Sequence, residues 1–273
     1  MTLKPAPPNF GIKFKRVDLP GTPLISSHFN RVIDTSLATV IGENGCIVST
    51  IEHLMAALSG MSVDNVVAEL DDYEVPIMDG SAAVFTEAIK STGTIEQDAP
   101  RLYFVISSPI ELKRDDKAVS VYPGPKRMIS CTIKFDHPAI QEQTYTLELT
   151  SGSFAREIGP ARTFGFYQEL AYLKHYGLGK GGSLDNAIVI DHNGIMNKNG
   201  LRFSDEFVRH KILDAIGDFS LLGMPILGHI ALYKSGHNFN HEFLKEFFRQ
   251  KKAWKTSPVD SAGNSVSPHE TKG

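Results

Sequence analysis

Apolar positions along the chain change period several times, and each change marks an expected element. From Gly11 to Val75, short β-rich pieces alternate with turn residues, but Thr50 to Ser59 switches to helical spacing. Ile51, Leu54, Met55 and Leu58 fall at i, i+3, i+4 and i+7, one apolar stripe. Ser49 or Thr50 is placed to cap that helix and Gly60 to stop it. Val66 to Leu70 reads as a strand, and Asp79-Gly80-Ser81 is placed to cap a short helix after it. The polar run from Gly93 to Arg101 is the expected junction between two domains, with the boundary near residue 100.

Beyond that junction, Leu102 to Ile106, Ala118 to Tyr122, Met128 to Phe135 and Tyr145 to Leu149 read as successive strands separated by Pro/Gly turns. Phe166 to Tyr176 is helical in spacing, Gly177 to Gly182 is a glycine-rich loop, Ala187 to Asp191 is a strand and Phe207 to Leu222 a helix. An apolar strand from Ile226 to Tyr233 follows. The order predicts an α+β protein with residues 1–100 and 101–254 as its two domains. Residues 255–273 hold almost nothing to bury and are expected to be a disordered tail.

Composition narrows the function classes. Of 273 residues, 41% are hydrophobic and 22% charged, the balance of a globular protein. A net charge of −3 gives no global positive field for nucleic acid or an anionic membrane surface, so a phosphate-bearing ligand must be held by local groups. Cys46 and Cys131 are far apart and outside any C-x-x-C spacing, which suggests neither a thiolate metal site nor a disulfide framework and fits a reducing cytoplasm. The first residues lack the basic and apolar regions of a secretory signal. The longest apolar stretch, Leu221 to Leu232, is broken by Pro225 and His229 and is too short to span a bilayer.

Three places carry candidate chemistry. On the helix from Phe207, the stripe of Val208, Ile212, Ala215, Ile216 and Phe219 packs inward, while His210, Lys211, Asp214 and Asp218 gather on the opposite side. His210 and Asp214 are one turn apart and both can reach one cation, a donor set that suits zinc. Chance produces such a spacing in about half of chains with this composition, and a solvated polar face looks the same. Glu52 and His53 point away from the stripe of their own helix. A third ligand there would complete the open site of catalytic zinc, with a glutamate beside it to take a proton from water. Lys234-Ser-Gly-His237 is a polar turn whose histidine can serve as a general acid. His237 and His241 are also four apart, but Gly236, Asn238 and Asn240 argue against one helix carrying both. No G-x-S-x-G elbow, P-loop or dinucleotide fingerprint occurs.

Five segments taken in order resemble the UDP-3-O-acyl-N-acetylglucosamine deacetylase family: Ser49 to Leu58 (STIEHLMAAL), Glu74 to Ala83 (EVPIMDGSAA), Ala161 to Phe166 (ARTFGF), Asp205 to Asp218 (DEFVRHKILDAIGD) and Tyr233 to His237 (YKSGH). The resemblance covers the chain to about residue 250. It implies His53, His210 and Asp214 as zinc ligands, Glu52 as general base, Thr163 as an oxyanion donor, His237 as a cationic acid or electrostatic stabiliser oriented by Asp218, and Lys211 as an active-site lysine. It also implies Lys117 and Phe135 near the UDP group, Phe164 and Lys234 near the sugar and phosphates, and residues 166–191 as an apolar passage for the acyl chain. The implied fold is two α+β domains of related build, each a sheet packed against helices, with the active site between them.

The implied activity is removal of acetate from UDP-3-O-acyl-N-acetylglucosamine in lipid A biosynthesis, by a cytoplasmic monomer with Zn2+ and no nucleic-acid or membrane-inserted partner. Family members carry a further strand and a Gly-Val-Gly-Leu-His-Ser-Gly segment before the stretch matching Thr2 to Pro5. This chain starts after it, so an edge strand and a histidine lining the site are expected to be missing. Two other readings fit the residues: a metal-free protein that binds a nucleotide-sugar lipid, and a zinc hydrolase of another substrate. Metal content separates the first and acetate release the second. Whether Glu52 or His237 protonates the leaving amine is open at this level.

Overall fold

The computed structural model describes residues 1–168 and 182–259. The first half runs β1 (Thr2–Pro5), β2 (Ile12–Arg16), β3 (Leu24–Ser26), β4 (Val32–Asp34), β5 (Val40–Glu43), β6 (Cys46–Val48), α1 (Glu52–Gly60), β7 (Val66–Leu70) and α2 (Ala83–Thr92). The second half runs β8 (Leu102–Ile106), β9 (Ile110–Arg114), β10 (Lys117–Tyr122), β11 (Arg127–Lys134), β12 (Glu142–Glu148), β13 (Phe164–Phe166), β14 (Ile188–Asp191) and β15 (Gly194–Ile195). It closes with α3 (Glu206–Ser220), β16 (Ile226–Tyr233), α4 (His237–Arg249) and β17 (Trp254–Pro258).

The architecture is α+β. One sheet has the order β1-β7-β2-β3, with β1 antiparallel and β2 parallel to β7, and a three-stranded sheet β4-β5-β6 stands beside it. The largest sheet has the order β12-β11-β16-β10-β9, extended by β8 and β17. Strand β16 joins two sets of partners: Ile226 and Leu227 pair with β8, while the residues after them run between β11 and β10. The change of partner falls at Gly228 (φ +153), where a Cβ would stand 2.5 Å from the Tyr122 carbonyl oxygen. Only glycine admits that approach.

Helix α3 lies against β11 and β12, and α4 against β9 and β10. Buried side chains from both halves, among them Phe14, Met55, Phe207, Ile212 and Phe243, form one continuous apolar cluster. The strands of the first sheet alternate: Phe14 and Ala68 are fully buried while the residues on either side of each are partly exposed, the pattern of a half-buried strand.

Four features depart from expectation. Helix α1 is capped by neither Ser49 nor Thr50; its N-cap is Ile51, and the Thr50 hydroxyl donates to Glu74 instead. The tail does not begin at 255, because β17 pairs antiparallel with β8 from Trp254↔Ile106 to Pro258↔Leu102. Trp254 anchors it by stacking on Phe247 at 5.4 Å and donating its indole N–H to the Phe247 carbonyl. A strand the sequence did not announce, β9, fills the gap between β8 and β10. Phe166 closes β13 and does not open a helix; most of the expected helix and the glycine-rich loop lie outside the described residues, as do 260–273.

Candidate metal centre and the seam that builds it

Helices α1 and α3 meet at Gly217, where a Cβ would lie 2.1 Å from the backbone oxygen of Glu52. This approach brings the start of α1 against the inner face of α3. The polar face of α3 is therefore not solvated: His210, Asp214 and Asp218 are each 3% exposed, and Glu52 and His53 on α1 are 4% exposed. Burial of so many titratable groups is costly unless they are paired or hold an ion. The chain accepts this cost where residues far apart in sequence converge.

His53 Nε2 lies 3.6 Å and His210 Nε2 3.3 Å from Asp214 Oδ1, and the two rings cross edge to face at 5.0 Å. One ligand atom from each of His53, His210 and Asp214 lies within 4.8 Å of the others. His53 Nδ1 and Asp214 Oδ1 are buried without a hydrogen-bond partner. Orphaned polar atoms are rare in folded interiors, and an unpartnered Asp214 Oδ1 facing two imidazole nitrogens fits a divalent cation with nitrogen and oxygen ligands. The second nitrogen of His210 faces the Ala161 carbonyl at 3.1 Å, the kind of outer contact that fixes a ligand ring.

Beside this triad stands a second group. His237 Nδ1 bonds Asp218 Oδ2 at 2.8 Å, and its Nε2 faces Glu52 Oε1 at 4.0 Å and Asp214 Oδ2 at 3.9 Å. Burial alone would lower the His237 pKa, but Asp218, Asp214 and Glu52 outweigh it and raise the ring to about 9. Burial pulls His210 the other way, to about 4, keeping it neutral as a ligand must be. Burial raises the Glu52 carboxyl above its ordinary range, against the opposing pull of His237 and His53. Asp214 is desolvated too, yet His210, Lys211 and His237 hold its carboxyl well below the usual range. Lys211 donates to Asp214 Oδ2 at 2.7 Å, and that partner keeps its pKa raised despite burial.

Two residues of this network, Thr39 and Asn240, escaped sequence reasoning. Thr39 donates its backbone N–H to Glu52 Oε2 at 3.0 Å and its hydroxyl to Asp218 Oδ1 at 2.6 Å, and that hydroxyl is 3.3 Å from His237 Nδ1. Asn240 donates to the other Asp218 oxygen at 2.8 Å. Thr39 lies just before β5 in a stretch with no helical or strand period, so only its contacts reveal it.

His237 also corrects an expectation. It is the first residue of α4 with Gly236 as N-cap, so His237 and His241 do share a helix. Their rings nevertheless part: His241 Nε2 turns to the Phe29 carbonyl at 2.8 Å, away from the cluster.

The remaining site residues form a rim. Thr163 is held by its backbone, donating N–H to the Gly80 oxygen and accepting from Ile188, with no side-chain hydrogen bond to the cluster. Phe164 packs edge to face on Phe207 and stands 6.2 Å from the His210 ring, and Phe135 lies 5.8 Å from Phe164. Pairing of Ala118 with Tyr233, and of Thr132 with Tyr233, places Lys117, Lys234 and Phe135 at one end of the large sheet. Lys234 forms an ion pair with Asp116 there. Lys117 has no ion pair among the described residues.

An α+β fold with a buried two-histidine, one-aspartate cluster beside a carboxylate of raised pKa has the donor set and the neighbouring base that metallohydrolases use. The model of the UDP-3-O-acyl N-acetylglycosamine deacetylase (LpxC) family matches residues 1–249. A Myxococcus xanthus protein named UDP-3-O-acyl-N-acetylglucosamine deacetylase is 51% identical over 95% of this chain and 82% of its own length. Proteins of the same name from Syntrophotalea carbinolica and Wolinella succinogenes are 48% and 44% identical, over 93% and 97% of this chain and 82% and 89% of their own. The chain belongs to the UDP-3-O-acyl N-acetylglycosamine deacetylase family.

Proposed function

We propose that this chain hydrolyses the acetamide of UDP-3-O-acyl-N-acetylglucosamine, releasing acetate and leaving the free amine, as a Zn2+ enzyme of lipid A biosynthesis in the cytoplasm. The observation that carries the reading is the buried, unpartnered Asp214 Oδ1 within reach of ligand atoms of His53 and His210. No described helix is long and apolar enough to cross a membrane.

A zinc ion held by His53, His210 and Asp214 would act as a Lewis acid and bring the pKa of a bound water to about 7. Glu52, desolvated and aligned by the Thr39 N–H, accepts a proton from the attacking water at its carboxylate. The Thr163 hydroxyl is assigned to the oxygen of the acetamide carbonyl, where one donor contributes about 3 to 4 kcal/mol. His237, charged at neutral pH and fixed through Nδ1 by Asp218, presents Nε2 to the nitrogen that leaves as the C–N bond breaks. Lys211 neutralises Asp214 beside the reacting atoms.

Lys117 and Phe135 are assigned to the UDP group and Phe164 and Lys234 to the sugar and phosphates, an assignment supported by the register, which gathers Lys117, Lys234 and Phe135 at the sheet end beside α4. The ligand would lie between the half before Leu102 and the half after it, with a single chain sufficient. The part of the expected acyl passage at residues 169–181 lies outside the described residues.

The test is acetate release from UDP-3-O-acyl-N-acetylglucosamine by the full chain, with zinc measured on the same sample. One zinc per chain and acetate release are expected. Zinc should be lost from His53→Ala, His210→Ala and Asp214→Ala but kept in Glu52→Ala. Stoichiometric zinc in His210→Ala, or a zinc-loaded chain that releases no acetate, would overturn the reading.

A further inference from the structure

Away from the metal cluster, a cavity of about 220 Å3 opens between the two halves, where β2 and the turn after β3 face β11, β16 and the end of α3. Its apolar wall includes Ile12, Val63, Ile129, Phe219 and Ile226. Lys13, Arg101 and Arg127 bring three cations to the same space, and Asp64 brings one carboxylate.

These charges are not equally matched. Arg101 lies 2.9 Å from Asp64 and donates to Ser62, so that cation is neutralised. Arg127 makes no side-chain hydrogen bond and no ion pair among the described residues, and Lys13 lies over the Phe10 ring at 4.0 Å with no carboxylate partner. Arg127 is partly buried, and burial together with repulsion from Arg101 draws its guanidinium down to about 10, the mark of a cation without an anion beside it. Such a group in an apolar recess is costly to the fold and is relieved by a planar two-oxygen anion, which a guanidinium grips through two N–H bonds.

From this mismatch we infer that the cavity is a binding site for a small amphipathic monoanion, a carboxylate on an alkyl or aryl body, with Arg127 on the head group and Lys13 beside it. The volume equals roughly seven water molecules at ~30 Å3 each, enough for a chain of about eight carbons. With Asp64 already paired to Arg101, only Arg127 and Lys13 are left to meet an anion, and the apolar wall around them favours an alkyl carboxylate over a fully hydrated phosphate. None of these residues belongs to the cluster around His53, so the inference does not depend on the proposed reaction.

The probe is sodium octanoate, titrated calorimetrically into the zinc-loaded full chain beside octan-1-ol and inorganic phosphate. Saturable octanoate binding is expected, at least tenfold tighter than either control. Arg127→Met should weaken octanoate at least tenfold with deacetylase activity unchanged, and His53→Ala should leave octanoate affinity as it is. Arg127→Gln with a thermal melt serves as the second variant should the methionine fail to fold. Octanoate binding unchanged in a folded Arg127 variant, binding lost in a folded His53→Ala chain, equal affinity for octanol, or no saturation would overturn the inference and leave the cavity a wet crevice.

Discussion

Helix α3 carries two buried ionic clusters little more than one turn apart, and they are built on opposite principles. At its start, Glu206 is fully buried and its carboxylate accepts from the Arg162 backbone, the Arg162 guanidinium and the Arg202 backbone, at 2.5 to 3.1 Å. Arg162 spends a further N–H on the Gly200 carbonyl. From His210 onward, the same helix presents Asp214 with one oxygen bonded to Lys211 and the other without a hydrogen-bond partner. A satisfied buried pair fixes structure, whereas an unsatisfied one reserves lone pairs for something that is not part of the chain. The contrast separates scaffold from site without reference to any relative.

The largest effect that sharpens this contrast is expected at Glu52. Glu52→Gln should lower turnover by about 10^2 to 10^4-fold while zinc content and melting temperature hold, because the lost group handles a proton and binds no ion. A loss of less than tenfold would remove Glu52 from that role. Glu206→Ala should instead cost about 3 to 5 kcal/mol in denaturant unfolding by stranding Arg162, with zinc per folded chain unchanged. A loss of zinc at full stability would abolish the distinction between the two clusters.

Thr39→Val removes the hydroxyl from Asp218 but keeps the backbone donor to Glu52. Turnover should fall roughly tenfold, about 1.4 kcal/mol, with KM unchanged and the alkaline limb of the pH profile shifted. A change in KM alone would show that Thr39 touches substrate and does not act through Asp218. A further effect concerns pH and is gradual, spread over more than two pH units. The folded pKa of His237, about 9, exceeds the ordinary value of 6.5, so the folded chain binds a proton that the unfolded chain releases. Its contribution is complete below pH 6.5 and is lost as pH rises through about 9, with a slope of at most about 1.4 kcal/mol per pH unit. Denaturant melts of metal-free chain across that window should show the decline, and His237→Gln should flatten it.

Much of the frame was legible because local periodicity and tertiary environment agree. Val66–Leu70, Leu102–Ile106 and Ile226–Tyr233 occur with the bounds their apolar runs announce. Elements with polar text were not legible: β17 reads Trp-Lys-Thr-Ser-Pro and is held by its pairing with β8 and by Trp254, and β9 ends in Glu-Leu-Lys-Arg. The start of α4 was hidden by Gly236, Asn238 and Asn240, which resemble a loop until Asn240 is seen buried against Asp218. For the site, spacing could place His210 above Asp214, but only the partner helix reveals that this polar face is sealed from water. Thr39 had no signal at all, since its role is set by residues 13 and 179 positions away.

Gly217 gives the seam a mechanical meaning. With no side chain at the crossing, α1 and α3 touch backbone to backbone, and the smallest added methyl group would act as a wedge that pries two imidazoles apart. His53 and His210 come from opposite halves of the polypeptide, so an ion gripped by both is a rivet through the joint. Tightening it by mass action would stabilise each half at once, and pulling it out should loosen the molecule along that single line of contact.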